Sequence, residues 1–266
     1  MEELDIIVCA KQVPDPEAPP SSFSIDRESM SVVPHGVPPV TNPFDENALE
    51  LAIRIRELTG GTITMLSMGK SISRAVLLKA MATGADRAVL VEDPAAEVGP
   101  AAGSATARAL AEAVLRIGRF DLLLAGRQAA DTNSGQVAIG LSVLLGIPCV
   151  TRASSVEVRD GRLLVERTLP DSLEVVEVSP PAALITGPEA GDLRYPKIAD
   201  IKAAKGRPCE VLHLADLGVE QSGARRVRLL DLTQPVRERR CRMVDGESGA
   251  EAGERLAALL QGEGVI

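Results

Sequence analysis

Residues 126–136, GRQAADTNSGQ, hold the side chains best suited to chemistry. A glycine placed for a tight turn, Gly126, is followed by Arg127 and Gln128 and then by the short polar side chains Asp131, Thr132, Asn133 and Ser134. Gly135, Gln136 and Val137 lead into an apolar stretch with helical spacing, 134–145, closed by Gly146. The first N–H groups of a helix lack intrahelical partners and the dipole is positive there, so this place suits a phosphate. Asp, Asn and Ser are also preferred helix caps, and plain capping is the competing reading. Neither G-x-G-x-x-G nor G-x-x-x-x-G-K-[ST] occurs, so NAD binding and ATP hydrolysis have no motif support.

The other reactive side chains do not assemble into a catalyst, and no catalytic residue is assigned. His35 lies in a proline-rich stretch and His213 at a late strand end, neither near a plausible nucleophile. Ser67, Ser104 and Ser134 lack a G-x-S-x-G context. Cys9, Cys149, Cys209 and Cys241 form no C-x-x-C pair, which speaks against a metal site and for reduced thiols.

The elements that must position the loop follow a repeating pattern. A short apolar run at 4–9 reads as a buried strand. A proline-rich stretch, 14–43, excludes a regular helix but leaves room for a small hairpin, 24–26 with 31–33. An amphipathic helix then starts at Asn42 or Asp45 and stops at Gly60-Gly61. Strands at 62–66, 88–91 and 121–125 alternate with helices at 71–82, 101–117 and 134–145. Such units imply an α/β fold: a parallel sheet, Rossmann-like, with helices on both faces. Ligands bind such sheets beyond the carboxyl ends of the strands. That adds Cys9 and Ala10 after the first strand, and Ser67 and Met68 after the second, to the candidate loop.

Beyond Pro148 the pattern turns to β-hairpin, with 156–165 folded around Asp160-Gly161 and further strands at 174–178 and 182–186. A short helix is expected within 194–205. Residues 1–215 read as the α/β domain and 216–266 as an extended arm, linker-like at 246–253, with a helix at 254–260. Such an arm needs another surface to cover it.

Composition narrows the partners. A formal net charge of -8, no Trp, one Tyr and three Phe leave neither a basic face nor stacking platforms for nucleic acid. No apolar run approaches the roughly 20 residues of a membrane span. The N-terminus has no signal-peptide pattern, so a cytoplasmic location is expected.

Several phrases, in order, resemble the electron-transfer flavoprotein beta-subunit family: KQVPD at 11–15, NPFDE at 42–46, MATGADR at 81–87, GRQA at 126–129, LRYP at 193–196 and DLGV at 216–219. The resemblance covers about 4–220. It implies a heterodimer with an alpha subunit that carries FAD, and an adenine nucleotide, FAD or AMP, in this chain. The implied pocket includes Cys9, Asn42, Met68 and 126–137. The implied partner-docking segment, about 187–205, includes Leu193, Arg194, Tyr195, Lys202 and Ile198 as apolar anchor. Gln136-Val137 is similar to the electron-bifurcating and nitrogen-fixation-type group, whereas Ala138-Ile139 departs from the Gly-Pro usual there. Expected electron-transfer partners are an acyl-CoA-type or other flavin dehydrogenase, NADH, and ferredoxin, flavodoxin or a quinone reductase. The rival reading is a stand-alone adenine-nucleotide-binding regulator of the stress-protein type.

Overall fold

The computed structural model describes residues 3–94, 96, 101–159, 161–219, 227–235 and 241–266. Asp160, the first residue of the expected hairpin turn, lies outside them. Two compact units form, Met1–Leu232 and Thr233–Ile266.

The first unit opens with β1 (Ile6–Cys9) and a short β2 (Gln12–Pro14), then the expected small hairpin, β3 (Phe23–Asp26) and β4 (Ser31–Pro34). After β5 (Pro39–Thr41) come α1 (Pro43–Thr59), β6 (Ile63–Gly69), α2 (Arg74–Thr83), β7 (Arg87–Glu92), α3 (Gly103–Ile117), β8 (Leu122–Gly126) and α4 (Val137–Leu145). The later elements are β9 (Cys149–Arg159), β10 (Arg162–Thr168), β11 (Leu173–Val178), β12 (Ala182–Thr186), α5 (Ile198–Ala204) and β13 (Cys209–Leu212).

Nine strands make one sheet in the order β11-β10-β9-β12-β8-β1-β6-β7-β13. Pairing is parallel from β9 across to β13, and β10 runs against both its neighbours. Side chains alternate between two cores, as a period of two requires. Ile6, Val8, Ile63, Met65, Leu122 and Leu124 pack on the face of α1 and α2. Ile7, Leu66, Val89 and Leu123 pack on the face of α3 and α4. Helices on both faces are thus confirmed.

Boundaries shift for local reasons. Helix α2 begins after Ser73, whose Oγ accepts the Ala75 N–H at 3.3 Å, rather than at Ser71. Helix α4 begins at Val137 rather than Ser134, because Asn133 and Gly135 adopt left-handed φ of 51° and 61°. In the second unit α6 (Gly249–Gly262) starts five residues before the expected 254, inside the supposed linker. Ser248 Oγ caps it by accepting the Glu251 N–H at 3.2 Å, and Glu251 answers by accepting the Glu247 N–H at 2.8 Å.

Both histidines are engaged. His213 Nδ1 meets the Glu92 carbonyl at 2.7 Å. His35 does have a hydroxyl neighbour, contrary to expectation: Ser24 Oγ lies 2.7 Å from its Nε2 on the exposed hairpin.

Candidate functional site

Strand order reverses between β1 and β8: successive strands β6 and β7 extend the sheet on one side of β1, while β8 pairs on the other. A cleft opens at their carboxyl ends, where such sheets take ligands. Cys9, Ala10, Ala125 and Gly126 line its base, and Leu66 and Met68 of β6 one wall. Helix α3 contributes Gly103, Thr106 and Leu110, and α4 contributes Val137, Ala138 and Leu141. The loop adds Arg127, Gln128, Ala129, Thr132, Ser134, Gly135 and Gln136.

The first turn of α1 braces this arrangement. Asn42, 1% exposed, donates through Nδ2 to the Gln128 carbonyl at 2.8 Å and accepts the Ala130 N–H at 3.0 Å. Asp45 accepts the Lys11 N–H at 2.7 Å and the Gly126 N–H at 2.9 Å. Burial pushes its carboxyl up to about 6 despite these hydrogen bonds. Gly126 is needed for close approach rather than for a turn with positive φ. A Cβ there would stand 2.5 Å from the Phe44 carbonyl carbon and 2.6 Å from Asp45 Oδ1.

The loop's polar side chains serve the loop. Lys11 Nζ pairs with both Asp131 oxygens at 2.8 and 2.7 Å, tying the end of β1 to the loop. Asn133 Oδ1 accepts from Gln128 Nε2 at 3.0 Å. None of them caps α4, whose N-cap residue, Gln136, makes no side-chain cap hydrogen bond. The competing capping reading therefore fails. Two helices of fifteen and nine residues turn their N-termini toward one cleft.

Most expected pocket residues line this cleft, with three exceptions. Asp131 and Asn133 act within the loop as described. Ser67 points to the α1 side of the sheet, because its strand alternates and Met65 faces that core; its buried Oγ has no hydrogen-bond partner. Asp45, Gly103, Thr106, Leu110 and Leu141 were not expected. The signal for Asp45 was present, an acidic residue in a helix's first turn after Asn-Pro. Burial, and then the Asp45 carboxylate, push the Cys9 thiol up to about 12, which disfavours the nucleophilic thiolate.

The family described as "Electron transfer flavoprotein domain" matches residues 29–217, well over half of the chain. The chain belongs to the electron transfer flavoprotein family, with the beta subunits. It is 39% identical over 220 residues to the electron transfer flavoprotein subunit beta of Thermoanaerobacterium thermosaccharolyticum, 82% of each chain being covered. With the caffeyl-CoA reductase–Etf complex subunit CarD of Acetobacterium woodii it shares 35% identity over 217 residues, 81% of this chain and 80% of the relative. Protein FixA of Azorhizobium caulinodans is 32% identical over 227 residues, covering 82% and 78%. The rival reading as a stress-protein-type regulator has no support beside these relatives.

In this member of the electron transfer flavoprotein family the segment resembling a docking site is anchored at its root and bare at its tip. Leu193 packs against the core, and Arg194 is held by Glu50 and Glu57 of α1. Tyr195 and Ile198 are 94% and 77% exposed, and Lys202 is exposed on α5. Among the described residues no helix is long and apolar enough to cross a membrane, and no cluster of His, Cys, Asp and Glu is arranged for a metal ion.

Proposed function

We propose that this chain is the small subunit of a heterodimeric electron-transfer flavoprotein, holding an adenine nucleotide in its cleft beside a larger, FAD-carrying alpha subunit. The observation that carries this reading is the pair of helix N-termini, α3 and α4, meeting at the sheet's switch point. Backbone N–H groups at positive helix ends suit phosphate oxygens. Leu66, Met68, Leu110 and Leu141 offer an apolar wall to a flat ring. Residues 126–137 and the start of α3 would hold the phosphates.

The nucleotide is FAD or AMP. Gln136-Val137 favours FAD and an electron-bifurcating complex that oxidises NADH; Ala138-Ile139 favours AMP and a simple carrier. A flavin, when bound, supplies the redox chemistry. The chain's own residues bind it, orient it and shape its surroundings. No residue of this chain is assigned a bond-making role.

Similarity to a subunit of a caffeyl-CoA reductase–Etf complex supports a flavin dehydrogenase as electron-transfer partner. Ferredoxin, flavodoxin or a quinone reductase stands on the other side of the exchange. Residues 187–205 would dock the dehydrogenase through Leu193–Tyr195, Ile198 and Lys202. The arm, 216–266, would embrace the alpha subunit. A cytoplasmic location fits this role.

Co-purification with the alpha subunit, followed by acid release and chromatographic counting of nucleotides, tests the proposal. One FAD with one AMP per heterodimer marks the carrier, and two FAD mark the bifurcating form. Stoichiometric NAD or ATP, or a chain that never pairs with a flavin subunit, overturns it.

A further inference from the structure

The exposed segment is rooted in a buried carboxylate. Glu50, midway along α1, is 3% exposed. Arg194 Nη2 donates to its Oε1 at 2.9 Å, Arg194 Nε to its Oε2 at 3.0 Å, and the Arg194 backbone N–H to Oε2 at 3.1 Å. Arg54 Nε adds a bond to Oε1 at 3.0 Å. The rest of the Arg194 fork reaches Glu57. Asn47 Nδ2 donates to the Gly191 carbonyl at 2.7 Å, from another buried position. Positions 47, 50, 54 and 57 lie on one face of a helix. That face of α1 grips the chain from 191 to 194, directly before Tyr195.

Burial alone would raise the Glu50 carboxyl, yet the Arg194 hydrogen bonds, with Arg54, hold it below the usual carboxylate range. A buried ion pair adds little stability over apolar side chains of similar volume. What it supplies is direction. A planar guanidinium, bound by side-chain fork and backbone N–H to one carboxylate, fixes the orientation of its own residue. The next exposed large apolar side chains, Tyr195 and Ile198, follow within one and four residues.

We propose that Glu50 is a positioning residue for docking of the redox partner: through Arg194 it sets the pose in which Tyr195 and Ile198 are presented. The inference rests on the docking role given to 187–205 above. Pre-ordering an exposed segment removes an ordering cost that the encounter would otherwise bear. The same helix braces the nucleotide loop with Asn42 and Asp45, so cleft and docking segment share one rigid reference.

The test uses the purified heterodimer, with a reduced acyl-CoA dehydrogenase as electron donor and dithionite as a small reductant that needs no docking. Glu50→Gln and Arg194→Met are each expected to raise KM for the dehydrogenase about tenfold, the double variant no more than either alone. In Glu50→Gln, kcat, dithionite reduction and nucleotide content stay as in the wild type. Arg194→Lys, which keeps the charge and loses the fork, carries the same test should Glu50→Gln fail to fold. Ile198→Ala is the reference for the docking role. A raised KM for Ile198→Ala beside an unchanged KM for Glu50→Gln overturns the positioning role and leaves the docking reading standing. Unchanged KM for both overturns the docking reading and the inference with it. Loss of nucleotide or of kcat in Glu50→Gln, at constant KM, reduces Glu50 to a structural residue and also overturns it.

Discussion

The Asp45 carboxylate accepts the backbone N–H of Gly126 at 2.9 Å, joining residues 81 apart in sequence. Its other oxygen takes the Lys11 N–H at 2.7 Å. One side chain from α1 thus fastens the carboxyl ends of β1 and β8, between which the cleft opens. Asp45→Asn keeps the shape but replaces one acceptor by a donor. A backbone N–H is then left facing an NH2 group, at a cost of about 1–3 kcal/mol. At roughly 2–4 °C per kcal/mol for a unit of this size, thermal unfolding of the variant falls by several degrees. Nucleotide recovered with the complex falls too, which chromatographic counting checks.

The same carboxylate makes stability depend on pH. Its folded value, pushed up to about 6 by burial, lies above the ordinary 3.8. Between these values the native state holds more protons than the unfolded chain. The contribution is therefore fully present below about pH 4 and lost as pH rises through about 6. About two units correspond to roughly 3 kcal/mol. Denaturant titration of wild type and Asp45→Asn should show the wild type gaining on the variant as pH falls from about 7 to about 4. A constant difference across that range contradicts the assignment.

Much of this fold was legible because its strands are covered on both faces. Residues 122–126 are buried throughout, and an apolar run is what such a strand requires. The loop after β8 stood out by its glycines and short polar side chains, and it does line the cleft. Its inner wiring was not legible: Asn133 answers Gln128, and Gly135 turns to positive φ inside the expected first turn, so the helix cannot start at Ser134. Ser67 was misplaced although strand phase already put it on the Met65 side, away from Met68. Asp45 escaped notice as a brace because its partners are Lys11 and Gly126, and sequence spacing carries no register between strands. Helix α3 brings a second N-terminus to the cleft for the same reason. Only the order of strands reveals it.

Thiol chemistry should separate Cys9 from Cys209 and Cys241 by environment. Cys9 lies at the base of the cleft, its thiol pushed up to about 12 by burial and by Asp45, so almost none is thiolate at neutral pH. Cys209 and Cys241 are exposed. Iodoacetamide followed by peptide mass spectrometry is expected to label Cys241 and Cys209 first, and Cys9 only after denaturant is added. Early labelling of Cys9 in the native complex contradicts the burial argument.

Two glycine substitutions separate stability from binding. In Gly126→Ala the new Cβ meets the backbone carbon of Phe44 at 2.5 Å, an atom that moves only if α1 moves. Overpacking of this kind costs about 1–3 kcal/mol or more, and it displaces Asp45 as well, so stability and nucleotide content fall together. In Gly103→Ala the nearest atom is Gln136 Oε1, at 3.1 Å, the far end of a flexible side chain. Gln136 can swing aside at a cost below about 1 kcal/mol, and the fold is kept. Both residues line the cleft at the meeting of α3 and α4, so a methyl group and a displaced carboxamide crowd the space proposed for phosphate. Gly103→Ala is therefore expected to retain the wild-type unfolding midpoint while weakening AMP binding to nucleotide-stripped complex by about tenfold, read by calorimetric titration. Wild-type AMP affinity in that variant would mean that the phosphate lies elsewhere than between the two helix ends.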